Sequence, residues 1–176
     1  MEYFGSIEAG GTKINCLVGN DPESIFAQTT FATTNPEENV PQIIDFFEQN
    51  RKSGMVIKAI GLACFGPLNL DPSSRDYGQI TNTPKKHWKN VNLKQMVENK
   101  LNVPVHVDTD VNGAALGEMR WGAGAGFTDI LYFTVGTGIG GGAIVREKPV
   151  HGLIHPEMGH ILLPHDNDKD PFDGSC

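Results

Sequence analysis

The sequence predicts an α/β fold, a mixed sheet with helices on both of its faces, arranged as two lobes. Three observations carry this expectation. Residues 2–33 read as three consecutive strands that can form a meander. After them, strand and helix patterns alternate, and parallel strands need such helical crossovers. A unit of strand, glycine turn and strand then occurs near both ends of the chain, hinting at a duplicated architecture.

The elements follow in order. Residues 2–8 and 14–18 form a hairpin around Ala9-Gly10-Gly11-Thr12, and a third strand covers 25–33. Asn35-Pro36-Glu37-Glu38 combines a capping side chain, an early proline and acidic residues, the signature of a helix start. In that helix Val40, Ile43, Ile44 and Phe47 share one face, Pro41 disturbs the first turns and Gly54 ends it. Residues 56–65 are nearly all apolar, as in a strand covered on both faces, and Gly66-Pro67 closes it. A polar loop over 69–88 leads to a helix with Leu93, Met96, Val97 and Leu101 on one side. A strand at 103–108, a helix at 112–120, and strands at 129–135 and 141–145 complete the order. The first lobe is expected over residues 1–116 and the start of the second over 117–176.

Composition narrows the function classes. The 176 residues are 39% hydrophobic and 20% charged, which favours neither disorder nor a lipid-spanning chain. A net charge of −7 argues against nucleic acid or an anionic membrane as partner. The longest apolar stretch, 130–145, is broken by glycines and is shorter than the ~20 residues a membrane helix needs. Met1-Glu2-Tyr3-Phe4 lacks the basic opening and apolar run of a secretory signal. Cys16, Cys64 and Cys176 are odd in number and widely spaced, so a reducing, cytoplasmic address is expected. Cys16 and Cys64 lie in apolar strands and read as core filler. Glycine stands out: 21 residues, concentrated in two short segments.

Those segments could act in two ways. Gly10, Gly11 and Thr12 with Lys13, and Gly136, Thr137 and Gly138, could point backbone N–H groups at phosphate oxygens, or could simply be tight turns. Neither matches a familiar phosphate motif. Lys13 follows Thr12 and opens a strand, where a P-loop would open a helix. Gly136, Gly138 and Gly141 precede another strand, so no helix N-terminus is available for a dinucleotide pyrophosphate.

Asp108 and Asp110 are expected together at a strand end, on one face, just before a helix. A carboxylate placed there could take the proton of a sugar hydroxyl attacking a γ-phosphoryl group, and Asp110 is the candidate. Alternatively Asp108, Asp110 or Asn112 caps the helix. The histidines of His151-Gly152-Leu153-Ile154-His155-Pro156-Glu157-Met158-Gly159-His160 lack the helical spacing of a zincin. His160 and Cys176 could supply two of the four ligands a structural zinc takes. His87 and His106 read as ordinary loop and strand polarity.

Taken in order, Glu8-Ala9-Gly10-Gly11-Thr12-Lys13, Gly66-Pro67, the run from Asp108 to Glu118, the run from Gly136 to Gly142 and His155-Pro156-Glu157-Met158-Gly159-His160 resemble the ROK family of sugar kinases and repressors. With Thr81-Asn82-Thr83-Pro84-Lys85, the chain looks most like the fructokinase branch. The resemblance implies an actin-like, ribonuclease-H-like ATPase fold with sugar and ATP in the cleft between two lobes. It implies Gly10, Gly11, Thr12 and Lys13 as one phosphate loop, Thr137 and Gly138 as the other, and Glu8 near the magnesium. Asp110 would be the general base, with Gly66, Asp110, Glu157 and His160 around the sugar. His160 would also ligate zinc, with Cys176 as a second donor. The expected cofactors are ATP, Mg2+ and Zn2+, and the expected assembly is a homodimer.

The sequence departs from the family pattern at two positions. Glu8 stands where most members have aspartate, and Thr109 where many have a sugar-binding asparagine. Family members continue well past the position of Cys176, so the chain is expected to be the N-terminal part of a longer protein. The function expected is an ATP-dependent kinase phosphorylating fructose, with glucose, mannose or N-acetylmannosamine as alternative substrates. A ROK repressor is the alternative from another class, but no basic helical segment precedes the first strand.

Overall fold

A computed structural model describes residues 2–136, 138–152, 156–161, 164, 166, 168–169 and 171–172. The meander forms as expected: β1 (Glu2–Ala9), β2 (Lys13–Asp21) and β3 (Ser24–Ala32) pair antiparallel in sequence. β4 (Val56–Cys64) and β5 (Val105–Thr109) then add in parallel on the other side of β1. The resulting five-stranded sheet has the order β3-β2-β1-β4-β5 and is mixed.

α1 (Pro36–Lys52) starts where Asn35 accepts a hydrogen bond from the Glu38 N–H at 3.0 Å, and Pro36 occupies the first turn without a lost donor. Pro41 is accommodated inside it. At the other end Gly54 adopts φ +99° and returns its N–H to Arg51, a conformation that favours glycine. α2 (Leu93–Leu101) starts at Asn92, whose side chain accepts from the Gln95 N–H, and ends at Asn102 with φ 52°. Its buried stripe is Leu93, Val97 and Leu101, four residues apart each time; Met96 lies at the edge of that stripe and is 39% exposed. α1 and α2 pack together, and Ile7, Ile14, Val18, Ile43, Phe47, Ile60 and Leu101 form the core between them and the sheet. Burying side chains of this size stabilises the fold by ~2 kcal/mol each before entropy is counted.

Three expectations change. β4 buries only Ile57, Ile60, Leu62 and Cys64, while Gly61 is exposed and Ala63 half-buried. An apolar run therefore covers one core face and leaves small residues facing a cleft. The segment between β4 and α2 is polar in composition but anchored: Leu68 bridges to Ile80, and both are buried with Trp88, whose indole N–H donates to Thr34 O at 3.1 Å. β8 (Lys148–Pro149) is an added strand. Its turn uses Arg146 and Glu147 at φ 51° and 63°, where glycine or asparagine would have signalled a hairpin. Hydrogen bonds from outside hold that turn, Glu147 N–H to Thr128 O at 2.8 Å and Arg146 N–H to Asp129 at 3.1 Å. The Thr128 hydroxyl, then the Arg146 N–H, keep the Asp129 carboxyl below the usual range.

β6 (Ile130–Val135), β7 (Ile139–Val145) and β8 form a second, antiparallel sheet. α3 (Asp110–Trp121) packs on the face of β4 and β5 opposite α1 and α2, and also on β6 and β7. Helices thus cover both faces of the first sheet, and α3 joins the two sheets.

Candidate active site

Parallel strands deliver their carboxyl ends to one edge of a sheet, where open α/β folds bind ligands. β1, β4 and β5 are mutually parallel neighbours, so Gly10, Gly66 and Asp110 emerge at the same edge. Asp110 is not a strand residue as expected. The chain turns at Thr109, making Asp110 the first residue of α3. Thr109 is the cap, a role assigned beforehand to its neighbours: buried, it accepts the Asn112 N–H on its hydroxyl at 3.0 Å. Asp110 Oδ1 accepts the Val111 N–H at 3.0 Å, at the helix end where aligned peptide dipoles attract negative charge.

Asp108 braces that turn. Its Oδ1 accepts the Thr109 N–H at 2.7 Å and the Asn112 amide at 2.9 Å, and its Oδ2 lies 2.9 Å from His151 Nε2. Backbone approach supplies the rest of the clamp. A Cβ on Gly113 would lie 2.7 Å from Ala63 Cβ, and one on Gly142 would lie 2.5 Å from Val111 O. α3 is therefore wedged between β4 and β7, with Asp110 in its first turn.

A cleft of about 520 Å³ opens beneath it, lined by Ser6, Glu8, Ala63, Asp108, Asp110 and Gly113 among others. Register aligns Glu8, Ala63 and Asp108 across β1, β4 and β5, which sets the two acidic residues about 10 Å apart. A chain of side chains orients Glu8: Asn15 donates to Glu8 Oε2 at 2.6 Å, and Thr30 donates to Asn15 at 2.8 Å. Cys64, buried behind Asp110, has its thiol pushed up by burial and further by the negative Asp110; burial alone takes Cys16 up to about 12.

The first glycine turn joins β1 to β2. Gly10 spends its N–H on Lys13 O at 3.0 Å, and its carbonyl accepts from the Thr33 hydroxyl at 2.8 Å. Gly11, Thr12 and Lys13 are exposed. In the second segment Gly136 donates to Gly138 O at 2.9 Å, and both residues border open space; Thr137 lies outside the described residues. β7 leaves this turn and reaches Val111, one residue from Asp110, by Gly140.

A second cavity of about 820 Å³ is lined by Asn69, Asp71, Tyr77, Thr81, His151 and Glu157 among others. The Asp108–His151 pair connects it to the first, and Val107 lines both. Glu157 Oε2 is 3.3 Å from His160 Nδ1. Gly66 and His160 line neither cavity, nor do Gly10, Gly11, Thr12, Lys13 and Gly138. Sequence reasoning missed Asn15, a polar residue with no motif around it, and read His151 as one histidine of the 151–160 run without its pairing to Asp108. A mixed strand face pointing at Glu8 was the available signal for Asn15.

Of the expected zinc donors only His160 falls on the described residues. Among them no three His, Cys, Asp or Glu side chains gather as a metal site, and Cys176 lies outside them. His160 alone is one donor where four are needed. Among the described residues no helix is long and apolar enough to cross a membrane.

The ROK family model matches residues 4–176. The fructokinase of Lactococcus lactis subsp. cremoris is 43% identical over 174 residues, 99% of this chain and 57% of that protein. The fructokinase of Zymomonas mobilis subsp. mobilis is 43% identical over 177 residues, 99% of this chain and 58% of that protein. Among solved structures, a ROK family glucokinase from Streptomyces griseus, in complex with glucose and AMPPNP, superposes with a TM-score of 0.76 at 31% identity. It covers 90% of this chain and 50% of its own. The chain thus spans somewhat over half the length of the fructokinases it matches. Its mixed sheet with helices on both faces is the actin-like ATPase fold of these kinases, and the chain belongs to the ROK family.

Proposed function

We propose that this chain supplies the general base and the phosphate-holding turns of an ATP-dependent hexose kinase whose first substrate is fructose. The observation that carries the proposal is the placement of Asp110. It stands in the first turn of a clamped helix, in a cleft shared with Glu8, at the edge where β1, β4 and β5 end. In the reaction the sugar hydroxyl attacks the γ-phosphorus, its oxygen forms the new P–O bond, and ADP leaves with the electrons of the broken bond. Asp110 takes the hydroxyl proton as the nucleophile commits. Gly11, Thr12 and Lys13 on one side, and Thr137 and Gly138 on the other, hold phosphate oxygens through backbone and side-chain donors. Gly10 contributes by shaping its turn, since its own N–H is already engaged.

Magnesium, when bound, neutralises charge on the phosphate oxygens. Glu8 fits that role, because Mg2+ is commonly held through one or two carboxylates together with substrate phosphates. Glu157, His160 and Gly66 are proposed around the sugar; Glu157 is supported by its place in the cavity adjoining Asp108. Zinc has no step in this reading. The division into lobes at 1–116 and 117–176 falls within α3, which then acts as the shared element between them. The net charge of −7 supports a small-molecule role over nucleic acid, and buried reduced Cys16 and Cys64 support the cytoplasm. A homodimer is proposed from family resemblance alone.

The test is ADP release by the full-length protein with fructose, glucose, mannose and N-acetylmannosamine. The highest kcat/KM is expected with fructose. A clear preference for glucose would reassign the substrate, and no sugar-dependent release with any of the four would overturn the kinase reading.

A further inference from the structure

We propose that Lys85 is a phosphate-binding cation of the first glycine turn, contacting the terminal phosphates of a nucleoside triphosphate. The inference rests on the kinase reading and adds a residue to it from a part of the chain far from the turn in sequence. A methyl group built on Gly11 would lie 3.5 Å from Lys85 Cε and 4.0 Å from its Nζ, so the ammonium hangs over the turn.

A rigid platform puts it there. Trp88 is buried, donates its backbone N–H to Lys85 O at 2.9 Å and anchors its indole on Thr34. Trp88 meets the edge of Phe65 at 5.6 Å, and Lys85 Nζ stands 5.8 Å from the Phe65 ring centre. Phe65 in turn donates its N–H to Ala9 O at 2.8 Å, at the residue just before Gly10. The platform and the turn are therefore tied together by hydrogen bonds, Phe65 to Ala9 on one side and Thr33, next to the Trp88 anchor Thr34, to Gly10 and Thr12 on the other.

Charge gives the second argument. Acidic residues outnumber basic ones by 21 to 14, yet Lys85, half-buried, pairs with no carboxylate among the described residues. An ammonium carries three donors, and the Phe65 ring satisfies none of them as a counter-charge would. An anion held on the Gly11 side completes its surroundings. Lysine suits the task as a compact point charge on phosphate, and the glycine leaves the space between unobstructed. Fixed on the Trp88 platform, it meets the phosphates without having to be reordered.

Calorimetry on the full-length protein tests this, with inorganic tripolyphosphate and MgATP as probes of wild type, Lys85→Met, Lys85→Arg and, as a charge control, Lys86→Met. Lys85→Met should weaken tripolyphosphate binding about tenfold, as expected for losing one charge-assisted contact. The ATP KM should rise with the fructose KM unchanged. Lys85→Arg should recover part of the binding, and Lys86→Met should bind as wild type does. Wild-type binding by Lys85→Met, or an equal loss in Lys86→Met, would overturn the inference. The two readings fail separately: tripolyphosphate binding that depends on Lys85 without sugar-dependent ADP release sinks the kinase alone, and kinase activity indifferent to Lys85 sinks this contact alone.

Discussion

The two sheets obtain their cover by different means. In the five-stranded sheet side chains provide it, with Ile7, Ile14, Phe47 and Ile60 completely buried. In the three-stranded sheet β7 offers almost no side chains where it meets α3, and Gly140 and Gly142 lay bare backbone against Val111 and Asn112. β6 meanwhile leaves Leu131, Phe133 and Val135 between 53% and 79% exposed. Apolar residues in a strand therefore state that the strand exists, without stating what covers it. A glycine run states that something approaches closely, without stating what. Asp110 stands where the two modes meet, on a helix that packs on one sheet through Gly113 and on the other through Val111.

The largest effect should come from that junction. Asp110→Asn in the full-length protein is expected to cut turnover by roughly 10²–10⁴-fold, the range for loss of a positioned base. Its stability should fall by less than about 1 kcal/mol, because the asparagine amide oxygen can still accept the Val111 N–H while the charge at the helix dipole is lost. ADP release and a thermal melt read the two quantities; near-wild-type turnover would remove Asp110 from its role.

Next comes the contrast between covered and uncovered side chains. Phe47→Ala should cost about 3–5 kcal/mol in denaturant unfolding of the 176-residue chain, as for a large aromatic deleted from a core. Leu131→Ala, 67% exposed, should stay within about 0.5 kcal/mol. Similar losses at the two positions would erase the distinction between the sheets.

The smallest effect separates the two ends of the second glycine segment. A Cβ on Gly142 meets Val111 O and Asn112 Oδ1, so Gly142→Ala should destabilise by about 1–3 kcal/mol through overpacking. Gly138 has nothing within 4 Å of a Cβ, and Gly138→Ala should melt like wild type while raising the ATP KM. If both variants melted alike, the division into packing glycines and ligand-facing glycines would be wrong.

Much of the fold was legible because its signals are local. Asn35-Pro36 marked the start of α1 through capping, and alternation marked β5. Met96 was misplaced because a four-residue repeat tolerates an apolar residue at its edge. β8 was invisible because hydrogen bonds from Thr128 and Asp129, distant in sequence, hold its turn in a conformation its own residues do not advertise. At the site, Asp110 was identified for its chemistry but placed on a strand, since alternation cannot reveal where a buried threonine will start a helix.

What the sequence by itself determined is the kind of chemistry and the order of elements: a carboxylate before a helix, two glycine turns, strands and helices in alternation. Side-chain type and short-range backbone preference suffice for those. Only the tertiary structure decided that Glu8, Asp110 and the Asp108–His151 pair adjoin one another, and that Lys85 hangs over Gly11. Such proximities come from parallel strand order and from how closely α3 can approach bare backbone, and neither is written in any one segment.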